Sequence, residues 1–490
     1  MLSYRPLNVD KNEIRVLELS KPTPCISGEH SLFQCSLKYV SLDDYTEEYA
    51  NFLELRQHDE SAAWPLPVWA TTPPSCGHSH EDLTQTPPSQ PLATGSTRTP
   101  VDQRMSSLGS TYCRYMWGDF AALSYEWGGS DRTGEILVDN HKVAVTRNLE
   151  AALQHISTWW LQETNHISLW IDALCINQQD IVERNHQVKR MASIYSGAIS
   201  VLLWTGPAIQ NEAETCRLLR QIHQIQENRE SIRKSISELT KYDNITAWLG
   251  ISELTRRSYW KRLWVIQEFC LAGRNALVCF GTTRVSLFDF FGAVALLGSG
   301  FKRVAGPLIE AFKGEAEDML SCVGNLYSGI DNIYPLMSIH DTRLTKGSLP
   351  DLAKLLRAGG RAEQTDSRDK IYGLLGLVNP EIRSLILPDY GKACSDVYRD
   401  FVTAVIQTTG KLDIIYQRPR NLRHGSQLPS WVPDWSIKAD ICNPIDFPRE
   451  IDSDELVPRV FGDFRSALNT NHVFCIGKDP NELLCRGFRA

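Results

Sequence analysis

The stretch that decides the fold is residues 169–204, LWIDALCINQQDIVERNHQVKRMASIYSGAISVLLW. It opens with an apolar run from Leu169 to Ile176 that only Asp172 interrupts, which is typical of a strand covered on both faces. A second apolar run, residues 199–204, closes the stretch. The residues between the two runs have helical spacing. The stretch therefore predicts one strand–helix–strand repeat of a parallel sheet.

The helix inside this repeat carries its own start signal. Asn177 stands where an N-cap is expected, and Asp180 follows three residues later as the acidic half of a capping box. Apolar residues at near-helical spacing predict its buried face, and they are Ile181, Val188, Met191 and Tyr195. Upstream, residues 120–125 predict a central strand, Ile136–Val145 a hairpin around Asp139-Asn140, and residues 146–161 a helix.

Two further motifs flank this stretch, ALSYEWG at 122–128 and YWKRLWVIQEF at 259–269. In this order, the three segments resemble the signature of the heterokaryon incompatibility (HET) domain of filamentous fungi. Downstream segments resemble motifs that accompany the domain in many members: DSRDKIYGLLG at 366–376, PDY at 388–390 and PSWVPDW at 429–435. The resemblance implies an effector of heterokaryon incompatibility that triggers programmed cell death after non-self recognition.

HET domains in turn resemble TIR domains remotely, and this second resemblance implies a fold and a reaction. The fold is α/β, a TIR-like (flavodoxin-like) parallel sheet flanked by helices, followed here by a mostly helical C-terminal α+β region. Leu123-Ser-Tyr125 resembles the TIR strand that ends in a serine box, and Trp264-Val-Ile-Gln-Glu268 resembles the helix with the catalytic glutamate. The resemblance implies an NAD glycohydrolase with Glu268 as the catalytic residue and NAD as substrate. It requires no cofactor and no metal.

The remaining site residues are expected where strands end, because open α/β sheets bind ligands at the carboxyl edge. One group of polar and aromatic residues, 124–127, ends a strand, and Asp172 and Asn177 surround the end of another. The residues expected to bind the substrate are Ser124, Tyr125, Trp127, Asp172, Asn177 and Trp264.

Glu268 has two competing interpretations. Trp260, Trp264 and Glu268 are spaced at i, i+4 and i+8, which places them on one face of a helix. In the functional interpretation, the apolar surroundings raise the pKa of the carboxylate and prepare it for proton transfer or charge stabilisation in a cleft. In the structural one it pairs with an arginine such as Arg262 or Arg274. The chain would then be a non-catalytic signalling and protein-interaction module. A third hypothesis uses Cys175 with His186 as a thiol nucleophile.

Composition limits the protein class. The formal charge of −7 over 490 residues, without a basic run, gives no nucleic-acid signal. Thirteen cysteines lack Cys-x-x-Cys pairs and zinc spacing, so a reducing compartment and no metal site are expected. No apolar stretch is long enough to span a bilayer. We expect a cytoplasmic protein whose partners are a non-self or allelic protein and further copies of itself.

Changes of composition divide the chain into segments. A Pro/Ser/Thr-rich stretch lacks the aliphatic density for a core and predicts disorder. The segments are the start of the HET domain at 1–55, the disordered insertion at 56–110, the HET core at 111–285 with a helical insertion at 207–257, a helical connector at 286–345, and the C-terminal α+β region at 346–490. The last segment ends on LCRGFRA, which resembles the start of a strand, so we expect a truncated C-terminus.

Overall fold

A computed structural model describes residues 3–19, 33–43, 120–128, 132–163, 167–198, 200–227, 236, 238–273, 276–311, 316–416, 428–437, 474–476 and 483–485. The chain forms two compact units. The first contains Met1–Glu183, Ser193–Trp260 and Ala272–Tyr334, and the second contains Arg184–Ala192, Lys261–Leu271 and Pro335–Ala490. The predicted disordered insertion at 56–110 lies outside the described residues.

A mixed sheet forms the centre of the first unit. Its strands are β1 Glu13–Leu19, β2 Phe33–Ser41, β3 Ala121–Tyr125, β4 Gly134–Val138, β5 His141–Val145, β6 Ile167–Trp170, β7 Ser200–Trp204, β8 Leu277–Phe280 and β9 Thr283–Ser286. Within the described residues these nine strands run in the order β5-β4-β2-β1-β6-β3-β7-β8-β9. The expected α/β class is confirmed.

The expectation of a parallel sheet was wrong for several pairs outside its middle, although β2 and β4 are parallel. β3 is parallel to β6 and β7, and β7 is parallel to β8. β1, however, is antiparallel to β2 and β6, and the β4–β5 and β8–β9 pairs are antiparallel hairpins. The physical reason for the two hairpins is that a short connection can only reverse the chain, whereas parallel neighbours need a long crossover. Asp139 and Asn140 form such a reversal with φ of 49° and 63°, as predicted for a tight hairpin.

The four parallel strands make the most buried part of the sheet. Every residue of β3, β7 and β8 is buried, which is the pattern of strands covered on both faces. Across the sheet these strands lie in the order β6, β3, β7, β8. In chain order these strands are the second, first, third and fourth. The connection from β3 leads to β6 on one side of β3, and the connection from β6 leads to β7 on the other side.

The described helices are α1 Arg147–Glu163, α2 Asp172–Cys175, α3 Ile181–Gly197, α4 Glu212–Glu227, α5 Ile245–Arg256, α6 Leu263–Leu271, α7 Leu287–Ala311, α8 Ala316–Lys346, α9 Leu352–Arg361, α10 Asp369–Tyr372, α11 Pro380–Leu385 and α12 Cys394–Thr409. In the first unit, α4 packs against α5 and α7. None of the helices in the described part of the chain is both long enough and apolar enough to cross a membrane.

The stretch 169–204 folds as a strand–helix–strand repeat, but two of its details were predicted wrongly. The first strand ends at Trp170, and the following apolar residues form the one-turn helix α2, because the Asp172 carboxylate accepts the backbone N–H of Ala173 at 2.7 Å. The N-cap of α3 is Asp180, whose carboxylate accepts the N–H groups of Val182 and Glu183, rather than Asn177.

The predicted buried face of α3 also needs correction. Met191 and Tyr195 are buried as expected, but Val188 is only half-buried and Ile181 is 56% exposed. Ile181 is the first helical residue after the Asp180 cap. A residue in the first turn lies beyond the packed part of the helix, so an apolar residue there need not be buried.

The second unit is mostly helical in its described part. α6 packs against α9 and α10, and its first residue, Leu263, donates its N–H to the Glu363 carbonyl at 2.9 Å. Lys370 is 3% exposed and donates to the carbonyls of Gly359, Gly360 and Ala362, which end α9. The short strands β10 Phe474–Ile476 and β11 Leu483–Cys485 pair as an antiparallel hairpin.

Candidate functional site at the carboxyl edge of the sheet

The carboxyl ends of β6, β3, β7 and β8 lie on one edge of the sheet in the first unit, because these neighbours are parallel. Ligands of open α/β sheets bind at this edge, at the point where the strand order reverses. Here the order reverses at β3. A ligand site is therefore expected in the segments that follow β3, β6 and β7.

Trp127 and Asp172 meet between the ends of β3 and β6. The indole Nε1 of Trp127 donates to Oδ2 of Asp172 at 2.9 Å, and both residues are half-buried. The other oxygen of the carboxylate, Oδ1, accepts the Ala173 N–H at 2.7 Å. A carboxylate held in this way has a fixed orientation. The structure thus brings together two of the predicted substrate-binding residues at the predicted edge.

Ser124 and Tyr125 lie inside the sheet instead. Both are buried in β3, at 0% and 3% exposure. The Ser124 hydroxyl lies 2.7 Å from the hydroxyl of Tyr259, and Tyr259 is also buried. This pair links the second residue from the end of β3 to the third motif of the sequence. The role of Ser124 and Tyr125 in binding stays a prediction.

Asn177 shapes the loop after α2. Its side-chain oxygen accepts the Gln179 N–H at 3.2 Å, and its own N–H donates to Oε1 of Glu183 at 2.7 Å. Glu183 in turn forms an ion pair with Arg15, whose two terminal nitrogens lie 2.5 and 2.9 Å from its oxygens. Arg15 is fully buried. The loop that carries Asn177 is therefore fixed to β1 by a buried charge pair.

Glu126 is a further carboxylate at this edge, directly after β3. Its Oε2 accepts the Ser258 hydroxyl at 2.5 Å, and its backbone carbonyl accepts the Asn148 amide at 2.7 Å. Asn148 also accepts the indole N–H of Trp204, the last residue of β7, at 2.9 Å. These contacts connect the end of β3 with the end of β7 through α1. Ser258 is exposed, so this part of the edge is open to solvent.

Trp264 and Glu268 belong to the second unit, and Trp260 does not share their helix. Residues 258–261 form a separate 3-10 turn, and α6 begins only at Leu263. In the first unit, Trp260 donates its indole N–H to the Leu254 carbonyl at 2.9 Å and stacks on Phe290. The predicted face of three residues on one helix was therefore wrong. Glu268 is 2% exposed on α6, and its catalytic role stays a prediction.

The second unit contains a polar cluster that the sequence did not reveal. Asp369 is 8% exposed, and its carboxylate accepts the Tyr390 hydroxyl at 2.6 Å and the Trp264 indole N–H at 3.2 Å. Burial raises the pKa of Asp369 to about 6. The guanidinium of Arg184 lies 4.1 Å from the centroid of the Tyr390 ring. In the sequence, Asp369 and Tyr390 belong to the downstream motifs at 366–376 and 388–390, which contain these residues without showing that they meet.

The thiol hypothesis does not fit the structure. Cys175 is 1% exposed, and burial raises the pKa of its thiol to about 12. A thiol with this pKa stays protonated near neutral pH, whereas the thiolate is the nucleophile. Among the described residues, no group of three or more His, Cys, Asp or Glu side chains could hold a metal ion.

Known proteins match this chain in the same region. Residues 120–268, from β3 to Glu268, match the family model of the heterokaryon incompatibility protein (HET). Over 389 residues the chain is 28% identical to "Heterokaryon incompatibility protein 6, OR allele" of Neurospora crassa; the match covers 65% of this chain and 53% of the relative. The chain thus spans about half the length of this curated relative. No solved structure matches the chain.

Proposed function

We propose that this chain, which carries a HET domain at residues 120–268, acts in heterokaryon incompatibility. Two findings support the proposal: the HET family model covers the parallel strands β3, β6 and β7 and nearly all of the third motif, and the Neurospora crassa relative is named for heterokaryon incompatibility. In this role the protein would respond to a non-self or allelic partner protein and trigger cell death in the cytoplasm. Self-association is part of the same proposal.

For the mechanism we propose hydrolysis of NAD. The order β6, β3, β7, β8 is the 2-1-3-4 order of flavodoxin-like sheets, which supports the proposed TIR-like fold of the domain. The observation that carries the reaction is the Trp127–Asp172 pair, an oriented carboxylate beside a half-exposed indole at the carboxyl edge. In the reaction the bond between nicotinamide and ribose breaks, and water supplies the hydroxyl of ADP-ribose and one proton.

In this reaction, the carboxylates and the indole of this chain would have different roles. A carboxylate near the ribose stabilises the oxocarbenium-like charge that develops as the bond breaks and holds the sugar hydroxyls. We assign this role to Asp172 at the sheet edge, whereas the TIR resemblance implies Glu268 as the catalytic carboxylate. The ring of Trp127 offers a surface on which nicotinamide can stack.

One observation favours a second candidate function, the non-catalytic module. Glu268 is 2% exposed, and a carboxylate that is closed off from solvent cannot act on a substrate without a conformational change. In the module, the described helices would serve assembly with partner proteins, and Glu268 would contribute to the packing of α6. The two candidates differ in whether the protein consumes NAD.

The test is the release of nicotinamide from NAD by the purified full chain, over protein concentrations that span its self-association. Asp172→Asn and Glu268→Gln are the test variants. Glu135→Gln is the matched control, because Glu135 is an exposed glutamate on β4 far along the sheet order from β3. Losing an electrostatic contact to the transition state lowers turnover about 100-fold or more.

The outcomes separate the candidates. Turnover that persists in Glu135→Gln and is lost in both test variants supports NAD hydrolysis with these carboxylates. Turnover lost only in Asp172→Asn would remove Glu268 from catalysis. If wild-type protein releases no nicotinamide at any concentration, while its expression still arrests growth of a fungal host, the module is the correct function.

A further inference from the structure

We infer that the outer edge of β5 is a self-association surface, at which the same strand of a second copy pairs antiparallel and joins two sheets into one. The inference rests on the self-association in the proposed function, to which it gives a surface, and it is independent of NAD hydrolysis. Neither the sequence motifs nor the site residues at the carboxyl edge of the sheet include this strand.

The strand β5 forms an open edge of the sheet in the first unit. It is the first strand in the sheet order, and among the described strands it pairs only with β4. Three of its residues, His141, Lys142 and Ala144, are exposed. In β9, at the opposite edge, Arg284 and Val285 are buried. An open strand edge presents unpaired N–H and C=O groups, which are a template for pairing with another chain.

The contacts of β4 determine which backbone groups of β5 face outward. The N–H of Asp139 donates to the Cys35 carbonyl on β2 at 3.0 Å. Every second residue of β4, counted back from Asp139, therefore directs its backbone groups to β2, and the residues between them direct theirs to β5. One of those between lies opposite Val143, so Val143 bonds with β4. Lys142 and Ala144 consequently direct their N–H and C=O groups outward.

These outward groups are self-complementary about Val143. When two β5 strands pair antiparallel with Val143 at the centre, Lys142 of each copy lies opposite Ala144 of the other. Both are then hydrogen-bonded pairs, which exchange two N–H···O bonds each, and the two valines form the closer non-bonded pair with their side chains in contact. The strand contains no proline, and it pairs with β4 without a bulge. A two-fold contact of this kind closes on itself and gives a dimer.

The charges on one face of the hairpin favour the same register. Lys142 is 66% exposed and forms an ion pair of 3.3 Å with Glu135 on β4, so the lysine on this edge has a counter-charge. Ala144 lies opposite Glu135. In the dimer, the lysine of the second copy would therefore extend across the small side chain of Ala144 toward Glu135. Exposed charge pairs select partner and register more than they add affinity, so Glu135→Gln should leave the dimer largely intact.

Sedimentation velocity of the purified full chain, over a range of concentrations, tests the surface. Ala144→Pro removes an outward N–H and no bond to β4, and the residue before it is already extended, as a following proline requires. We expect a dissociation constant at least tenfold higher than that of wild type. Ala144→Ser is the matched control, because it keeps the N–H and a small side chain, and it should associate like wild type.

A disulfide cross-link tests the register without a proline in the strand. Residues directly opposite each other in a non-bonded pair have Cα atoms about 4.5 Å apart, which a disulfide can span. Val143→Cys should therefore give a cross-linked dimer after oxidation with copper phenanthroline. Lys142→Cys is its control, because the two substituted positions would be diagonal neighbours about 7–8 Å apart and should not cross-link. Wild-type protein shows whether the native cysteines contribute.

The outcomes separate this surface from the rest of the proposed function. Wild-type protein that stays monomeric at every concentration would overturn the surface together with the proposed self-association. A dimer that persists equally in Ala144→Pro and Ala144→Ser, or that cross-links through Lys142→Cys as readily as through Val143→Cys, would overturn the surface and leave self-association standing. The dimer can form whether or not the protein releases nicotinamide, so failure of the proposed reaction is a separate result.

Discussion

Removing Arg15 should destabilise the first unit far more than an ordinary charge deletion. Arg15 is fully buried and donates to both oxygens of Glu183, to the Cys175 carbonyl at 3.1 Å and to the Arg5 carbonyl at 2.6 Å. In Arg15→Met the Glu183 carboxylate, 9% exposed, keeps the Asn177 N–H but loses its counter-charge. Breaking a buried ion pair by removing one partner costs about 3–5 kcal/mol.

The sheet also provides the control for this prediction. Lys38 on β2 and Glu18 on β1 form an ion pair of 2.5 Å in the same sheet, but the lysine side chain is 52% exposed. Exposed pairs contribute about 0–1 kcal/mol, so Lys38→Met should have little effect. In the double variant Arg15→Met/Glu183→Gln no buried charge is left unpaired, so much of the lost stability should return.

The assay should report on the first unit alone, because two compact units need not unfold together. Hydrogen exchange followed by mass spectrometry on the peptides of β1 and of residues 171–183 gives this local readout. We expect exchange in Arg15→Met to accelerate by a factor of about 100 or more, as 1.4 kcal/mol corresponds to tenfold. Equal exchange in Arg15→Met and Lys38→Met would refute the reasoning, since the buried pair would then contribute no more than the exposed one.

Three further predictions concern other buried groups. Burial raises the pKa of Asp369 from 3.8 to about 6. The folded second unit therefore binds a proton more tightly than the unfolded chain does. Its stability should fall as the pH rises from about 4 to about 6. Asp369→Asn leaves the facing groups Trp264, Tyr390, Asp366 and Arg184 in place. It should weaken the pH dependence of the chemical-denaturation midpoint between pH 4 and 6, and an unchanged pH dependence would contradict this. Cys175, with a pKa raised to about 12, should resist iodoacetamide at pH 8 until the protein is denatured, so rapid native alkylation seen by mass spectrometry would be inconsistent with its burial. Lys370→Met leaves the three carbonyls at the end of α9 without their shared donor and should lower the stability of the second unit by about 3 kcal/mol or more in urea denaturation, whereas a loss below about 1 kcal/mol would show that other donors replace it.

Local sequence patterns predicted the central elements of the fold well. The runs at 120–125 and 199–204 became β3 and β7, and the Asp139-Asn140 turn formed the expected hairpin. These features depend on burial and on backbone preferences of neighbouring residues. The error at Leu169–Ile176 has the same origin. Apolar residues show that a segment is buried, and a one-turn helix such as α2 buries them as completely as a strand does.

The candidate site was less predictable because its contacts join distant parts of the chain. The helical spacing of Trp260 and Trp264 failed because Lys261 and Leu263 form backbone hydrogen bonds with Glu363, about a hundred residues away, and this interrupts the helix. Trp264 contacts Asp369 across 105 positions in the same way. Spacing within one motif cannot report such pairings.

The strand order explains why the signature block need not hold the reacting groups. Residues 169–204 supply β6 and β7, the two neighbours of β3, so substitutions there alter the spacing of the whole carboxyl edge. The polar groups at that edge come largely from the adjoining segments: Glu126 and Trp127 after β3, and Ser258 before α6. Within the block, the side chain of Asp172 reaches Trp127 after β3. A buried strand residue such as Leu203 should therefore affect ligand binding only through stability, whereas Asp172 should affect binding with the fold intact.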